Sequence, residues 1–120
     1  MSVTTVLVID DQPLFRQGVR CILEGCIGEF EVVAEAEDGM SALAVVAQLR
    51  PRIVLLDVQL PDIDGFEVAE RLAQAGDSPA VVLISTRDIS SYRRRLAQSP
   101  ARGFVSKSEL SGNAICALVS

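Results

Sequence analysis

The sequence predicts an α/β domain: a parallel β-sheet with helices packed on both faces. Three observations carry that prediction. Short runs made only of branched aliphatic residues recur at Val6-Leu7-Val8-Ile9, Ile53-Val54-Leu55-Leu56 and Val81-Val82-Leu83-Ile84. Strands without polar alternation are buried on both faces, as parallel sheets require. Stretches of helical periodicity lie between them, and the connections are short, with no linker, repeat or low-complexity segment. Residues 1–120 therefore form one domain.

The elements follow in order. The first strand, residues 6–9, ends in Asp10-Asp11, and Pro13 suits the first turn of a helix. Phe15, Val19, Ile22 and Leu23 share the face of that helix, and Gly25 suits its C-terminal cap. Residues 30–36 alternate in part, as a strand near the sheet edge does. Asp38-Gly39 turns the chain into a helix over 40–50, with Leu43, Val46 and Ala47 on one face and Pro51 as its stop. Residues 53–56 make the central strand. Leu60-Pro61-Asp62 and Gly65 force a loop after Asp57, with Asp62 and Asp64 as turn residues. A helix over 65–75 turns Phe66, Ala69, Leu72 and Ala73 inward, and residues 76–79 form a turn. The fourth strand, 81–84, ends in Ser85-Thr86. Residues 90–98 are a poor amphipath, because Arg93-Arg94-Arg95 leave only Tyr92, Leu96 and Ala97 to pack. A short strand over 103–105 ends near Lys107, and a helix over 110–119 closes the chain. Right-handed crossovers in the order 2-1-3-4-5 give the flavodoxin-like arrangement.

Composition narrows the function. A net charge of −5 argues against nucleic acid as the direct partner of these residues. No apolar run approaches the ~20 residues that span a bilayer, and the first residues lack a basic signal-peptide start, so a cytoplasmic location is expected. Cys21, Cys26 and Cys116 make neither a disulfide framework nor a zinc spacing, and are expected as free thiols in or near the core. The chain has no histidine, which excludes His-dependent catalysis and most transition-metal sites.

Four strands end in a reactive or charged polar group: Asp10 and Asp11, Asp57, Ser85, and Lys107. Alone, an Asp at a strand end is ordinarily a cap, a Lys is ordinarily solvated, and Ser85-Thr86 could cap a helix. Together they fall along one edge of a parallel sheet, where open α/β folds bind ligands. Three carboxylates repel one another unless a cation intervenes, and an all-oxygen cluster suits Mg²⁺. With Lys107 and the Ser85 hydroxyl, this edge supplies what a phosphoryl group needs on its oxygens, with Asp57 as the nucleophile.

On these residues the sequence resembles the receiver domains of two-component response regulators. Asp10-Asp11, Leu55-Leu56-Asp57, Pro61 with Asp64-Gly65, Ile84-Ser85-Thr86 and Gly103-Phe104-Val105-Ser106-Lys107 carry the resemblance, which covers essentially the whole chain. Asp10-Asp11-Gln12-Pro13-Leu14-Phe15-Arg16 and the run from Leu55 to Asp62 are most similar to the NarL/LuxR-type subfamily. The resemblance implies that Asp57 accepts a phosphoryl group from a sensor histidine kinase. It implies direct Mg²⁺ binding by Asp11, Asp57 and the backbone carbonyl of Gln59, with Asp10 acting through water. Ser85 takes the switch hydroxyl position beside Thr86, Phe104 the switch aromatic, and Lys107 the phosphate-binding lysine. Gln59 and Arg87 tune the phosphoryl lifetime. It further implies a switched surface over the fourth and fifth strands and the helices after them, dimerisation on phosphorylation, and control of a C-terminal helix-turn-helix DNA-binding domain. That domain is absent from this chain.

The chain departs from the family pattern at Ser108, where many receivers place proline, so the loop after Lys107 is open. A stand-alone receiver remains an alternative. A Mg²⁺-dependent phosphatase using Asp57 is another, but its acid/base Asp would stand where Gln59 stands. A flavin carrier of the same fold would place phosphate against Asp10-Asp11, which would repel it.

Overall fold

Five parallel strands pair in the order β2-β1-β3-β4-β5, the order expected from the sequence. The computed structural model describes residues 3–26, 28–76 and 79–119. The strands are β1 (Thr4–Ile9), β2 (Phe30–Ala36), β3 (Ile53–Asp57), β4 (Ala80–Ser85) and β5 (Gly103–Ser106). The helices are α1 (Pro13–Glu24), α2 (Gly39–Leu49), α3 (Gly65–Gln74), α4 (Arg93–Gln98) and α5 (Gly112–Val119). β3 lies at the centre, pairing Leu56 with Ile9 of β1 and Asp57 with Ile84 of β4. β2 is an edge strand, and its half-buried pattern follows from having one neighbour.

The pleat divides the core in two. Leu7, Ile9, Val54, Leu56 and Leu83 face Ala42 and Val46 of α2 and Phe66, Ala69 and Leu72 of α3. Val6, Val8, Ile53, Leu55, Val82 and Ile84 face Val19 and Leu23 of α1 and Ile115 of α5. Each fully buried aliphatic side chain contributes roughly 1.5–3 kcal/mol. This two-sided burial fixes the strand ends to which the polar residues are attached.

Several local expectations are corrected. Ile22 is 39% exposed, because the inward stripe of α1 runs through Val19 and Leu23 and turns its neighbour outward. For the same reason Cys21 lies on the exposed side of α1 rather than in the core, while Cys26 and Cys116 are half-buried. In α2 the stripe is Ala42 and Val46, so Ala47 faces solvent and Leu43 is half-buried. Gly25 is the C-terminal cap of α1 as expected, but in a right-handed conformation, with its N–H bonded to Cys21 and Leu23 carbonyls, so it does not use glycine's freedom. The left-handed cap belongs instead to Arg50 after α2 (φ 47°), just before Pro51, where a proline disfavours the helical conformation.

Residues 89–98 are not one helix. A 3₁₀ turn over Ile89–Ser91, capped by Asp88 accepting from the Ser90 N–H at 3.0 Å, precedes the six-residue α4. Tyr92 sits at the junction and is buried. Leu110 is buried but lies outside α5, which starts at Gly112 after Ser111 Oγ accepts from the Ala114 N–H at 3.0 Å. A second 3₁₀ turn, Lys107–Glu109, occupies the loop after β5, and no cis peptide occurs among the described residues. Asp77 and Ser78 of the expected turn lie outside the described residues.

Candidate functional site

Parallel pairing brings the strand-end residues to one edge. Asp10 follows β1, Asp57 ends β3, Ser85 ends β4 and Lys107 follows β5. Asp10 and Ser85 have no exposed surface, and Asp57 is 5% exposed. Carboxylate oxygens of Asp10, Asp11 and Asp57 lie within 4.8 Å of one another, and Asp11 is the exposed member.

Each carboxylate is oriented by its own loop. Asp10 Oδ1 accepts from the Gln12 N–H at 2.8 Å, while the Asp10 carbonyl accepts from the Arg16 guanidinium at 2.6 Å. Asp57 Oδ1 accepts from the Gln59 N–H at 3.1 Å. The Lys107 ammonium lies 2.6 Å from Asp10 Oδ2 and 3.3 Å from Asp57 Oδ2. The closer contact is an ion pair without hydrogen-bond alignment, which leaves the buried Asp10 Oδ2 without a hydrogen bond. Burial pushes the Asp57 carboxyl up to about 6; the Gln59 N–H opposes that shift, Asp10 adds to it, and Lys107 also opposes it. A buried carboxylate oxygen whose charge is met only by one ammonium, beside two further carboxylates, is an arrangement that fits a hard, oxygen-seeking divalent cation such as Mg²⁺.

The Ser85 oxygen accepts from the Arg87 N–H at 3.0 Å, which leaves its proton for another acceptor. Thr86, Arg87 and Gln59 are exposed around this edge. Phe104 is half-buried opposite Leu83, so it shares a sheet face with Ser85 two residues further along β4. Its ring stands 6.0 Å from that of Tyr92, which stands 5.7 Å from Phe66.

Other residues shape the site in ways that the sequence reading did not assign to them. A side chain on Gly65 would place Cβ 2.5 Å from the Asp57 carbonyl, so only glycine lets α3 start this close to the loop. Asp64 caps α3 by accepting from the Glu67 N–H at 3.0 Å and also pairs with Arg95 at 2.7 Å. Asp62, more than a turn residue, accepts from the Gly39 and Met40 N–H groups, each at 2.8 Å, and so helps cap α2 from the loop after β3. Phe15, expected only as a core-facing residue, lies under Lys107, with its ring centroid 4.2 Å from Nζ.

Residues 6–119 match the family described as the response regulator receiver domain. The chain belongs to that family. It is 38% identical over 104 residues to the virulence factors transcription regulator BvgA of Bordetella pertussis, covering 87% of this chain and 49% of that protein. It is 36% identical over 102 residues to the transcriptional regulatory protein DegU of Brevibacillus brevis, covering 85% of this chain and 43% of that protein. The receiver thus spans about half the length of the curated relatives it matches. Among solved structures it is similar to the signal receiver domain of NarL from Mycobacterium tuberculosis, with a TM-score of 0.85, 32% identity and 98% coverage of both chains. A LuxR-family regulator from Aurantimonas sp. SI85-9A1 matches with a TM-score of 0.86 and 27% identity, over 98% of this chain and 83% of that one. These relatives agree with the NarL/LuxR-type resemblance read from the sequence. No helix among the described residues is long and apolar enough to cross a membrane.

Proposed function

We propose that this receiver is a phosphoacceptor: a sensor histidine kinase transfers a phosphoryl group to Asp57 in a Mg²⁺-dependent reaction. The observation that carries the reading is the setting of the Asp57 carboxylate. One oxygen is fixed by a backbone N–H, the other faces the Lys107 ammonium, and two further carboxylates stand beside it. None of these 120 residues is a histidine, so the donor histidine lies outside them.

Asp11, Asp57 and the Gln59 carbonyl would hold Mg²⁺, with Asp10 acting through water. Bound there, Mg²⁺ supplies positive charge to the phosphoryl oxygens and offsets the mutual repulsion of the carboxylates. An Asp57 oxygen attacks phosphorus, the P–N bond of phosphohistidine breaks, and the imidazole departs. With its carboxyl at about 6, Asp57 is mostly ionised at neutral pH and available as the nucleophile. Lys107 moves its charge from Asp57 Oδ2 to a phosphoryl oxygen, and the free Ser85 proton is donated to another. Thr86 borders this path, and exposed Gln59 and Arg87 control how easily water reaches phosphorus.

The output follows from the same edge. Movement of Ser85 toward the phosphoryl group opens space that the Phe104 ring fills, and the β4-α4-β5-α5 surface changes for a partner or a second copy. Residues 1–120 act as the receiver domain of a longer cytoplasmic regulator and control a C-terminal helix-turn-helix DNA-binding domain. The receiver itself does not contact DNA and is a regulator rather than a classical enzyme.

Incubation with Mg²⁺ and acetyl phosphate should add one phosphoryl group, read by intact mass. EDTA or Asp57→Asn should abolish the gain, and labelling that survives Asp57→Asn would place the chemistry elsewhere.

A further inference from the structure

We infer that Phe15 is a positioning residue for Lys107: its ring forms the fixed face against which the ammonium is held over the carboxylate pocket. The inference rests on the phosphoacceptor reading and adds a residue to it. Lys107 follows β5 and Asp10 follows β1, three positions apart in the sheet, so the lysine must reach across the ends of β4 and β3. A long, flexible side chain does not hold that geometry unaided. Two carboxylate oxygens stand on one side of Nζ, at 2.6 and 3.3 Å, and the Phe15 ring stands near it with its centroid at 4.2 Å. That distance is well inside the ~6 Å range of cation–π attraction, and the lysine side chain is 10% exposed, so solvent screens the contact little.

Phe15 is itself anchored. Pro13 sets the first turn of α1, the Phe15 and Arg16 N–H groups return to the Gln12 carbonyl, and the ring packs against the core on the α1/α5 side. Arg16 ties the same turn to the Asp10 carbonyl at 2.6 Å. The ring therefore keeps its place while the ammonium exchanges Asp57 Oδ2 for a phosphoryl oxygen. Among the described groups near Nζ, the ring attracts the cation without becoming a ligand of the transferred group.

The test compares wild type with Phe15→Leu, which keeps apolar bulk, and Phe15→Tyr, which keeps the ring face. In wild type the Lys107 ε-methylene protons should resonate upfield of an ordinary lysine through the ring current, assigned by their loss in Lys107→Arg. That signature should persist in Phe15→Tyr and vanish in Phe15→Leu. The initial rate of phosphorylation from acetyl phosphate should fall roughly three- to tenfold in Phe15→Leu, the size of one cation–π contact, and recover in Phe15→Tyr. Lys107 protons at ordinary shifts in wild type overturn the inference, even if Phe15→Leu does not fold. Equal labelling rates in wild type and a folded Phe15→Leu overturn it too. Wild type that gains no phosphoryl group at all would instead remove the phosphoacceptor reading.

Discussion

Asp57 sits where burial and a neighbouring carboxylate oppose its ionisation, although the proposed chemistry needs the ionised form. The folded protein holds this proton until about pH 6, whereas the unfolded chain releases it near the ordinary value of 3.8. The folded state thus binds more protons between those values, and its stability falls as pH rises through them. The stabilisation is complete below 3.8 and lost above about 6. Two pKa units correspond to about 3 kcal/mol, reduced to roughly 1–2 kcal/mol by solvent at the open side of the site. In EDTA, Asp57→Asn should therefore be the more stable protein by about that amount at pH 7.5, and lose the advantage at pH 4. Thermal melts at the two pH values check this. A mutant less stable than wild type at both would mean that the ion pair with Lys107 outweighs the burial cost.

Among the elements, α4 is the least secured. It has six residues, no side-chain cap at its N-terminus and no buried residue of its own. Its ties are Leu96, half-buried against the core, and Arg95, which pairs with Asp64 at 2.7 Å and lies 4.4 Å from the Phe66 ring centroid. The weak apolar face was legible in Arg93-Arg94-Arg95, and so was the helix-strand alternation throughout. The split into a 3₁₀ turn and a shorter helix was not legible, because it depends on Tyr92 packing between Phe66 and Phe104, a contact among three distant segments. The same limit separates Lys107, which announces itself at a strand end, from Phe15, whose role depends on a lysine ninety-two residues away. Asp62 looks like any turn residue until α2 is seen above it. An element with few buried contacts opens at low cost, which suits α4 to carry the proposed signal from Ser85. Ser85→Ala should still be phosphorylated, yet lose the amide chemical-shift changes in residues 86–107 that wild type shows on activation. Unchanged shifts in the mutant relative to wild type would mean that the signal leaves Asp57 by another route.

Across the whole molecule, the sheet concentrates acidic charge at one edge of a chain that already carries −5. Asp10 is wholly buried with one oxygen lacking a hydrogen bond, and Lys107 alone cannot neutralise three carboxylates. The metal-free fold therefore carries an electrostatic cost that the proposed divalent cation would remove, and a ligand bound only by the folded state stabilises it by RT ln(1 + [L]/Kd). At ten times Kd that is about 1.4 kcal/mol. For a domain of this size it raises the melting temperature by roughly 4–6 °C. Melting with and without millimolar Mg²⁺ should show such a rise at neutral pH. The rise should shrink as pH falls below about 6, where Asp57 takes up its proton and ceases to repel its neighbours. Asp11→Asn should keep the fold, since Asp11 is exposed, but removes one proposed ligand, so its melting temperature should respond little to Mg²⁺. An equal Mg²⁺ response in wild type and Asp11→Asn would take Asp11 out of the site.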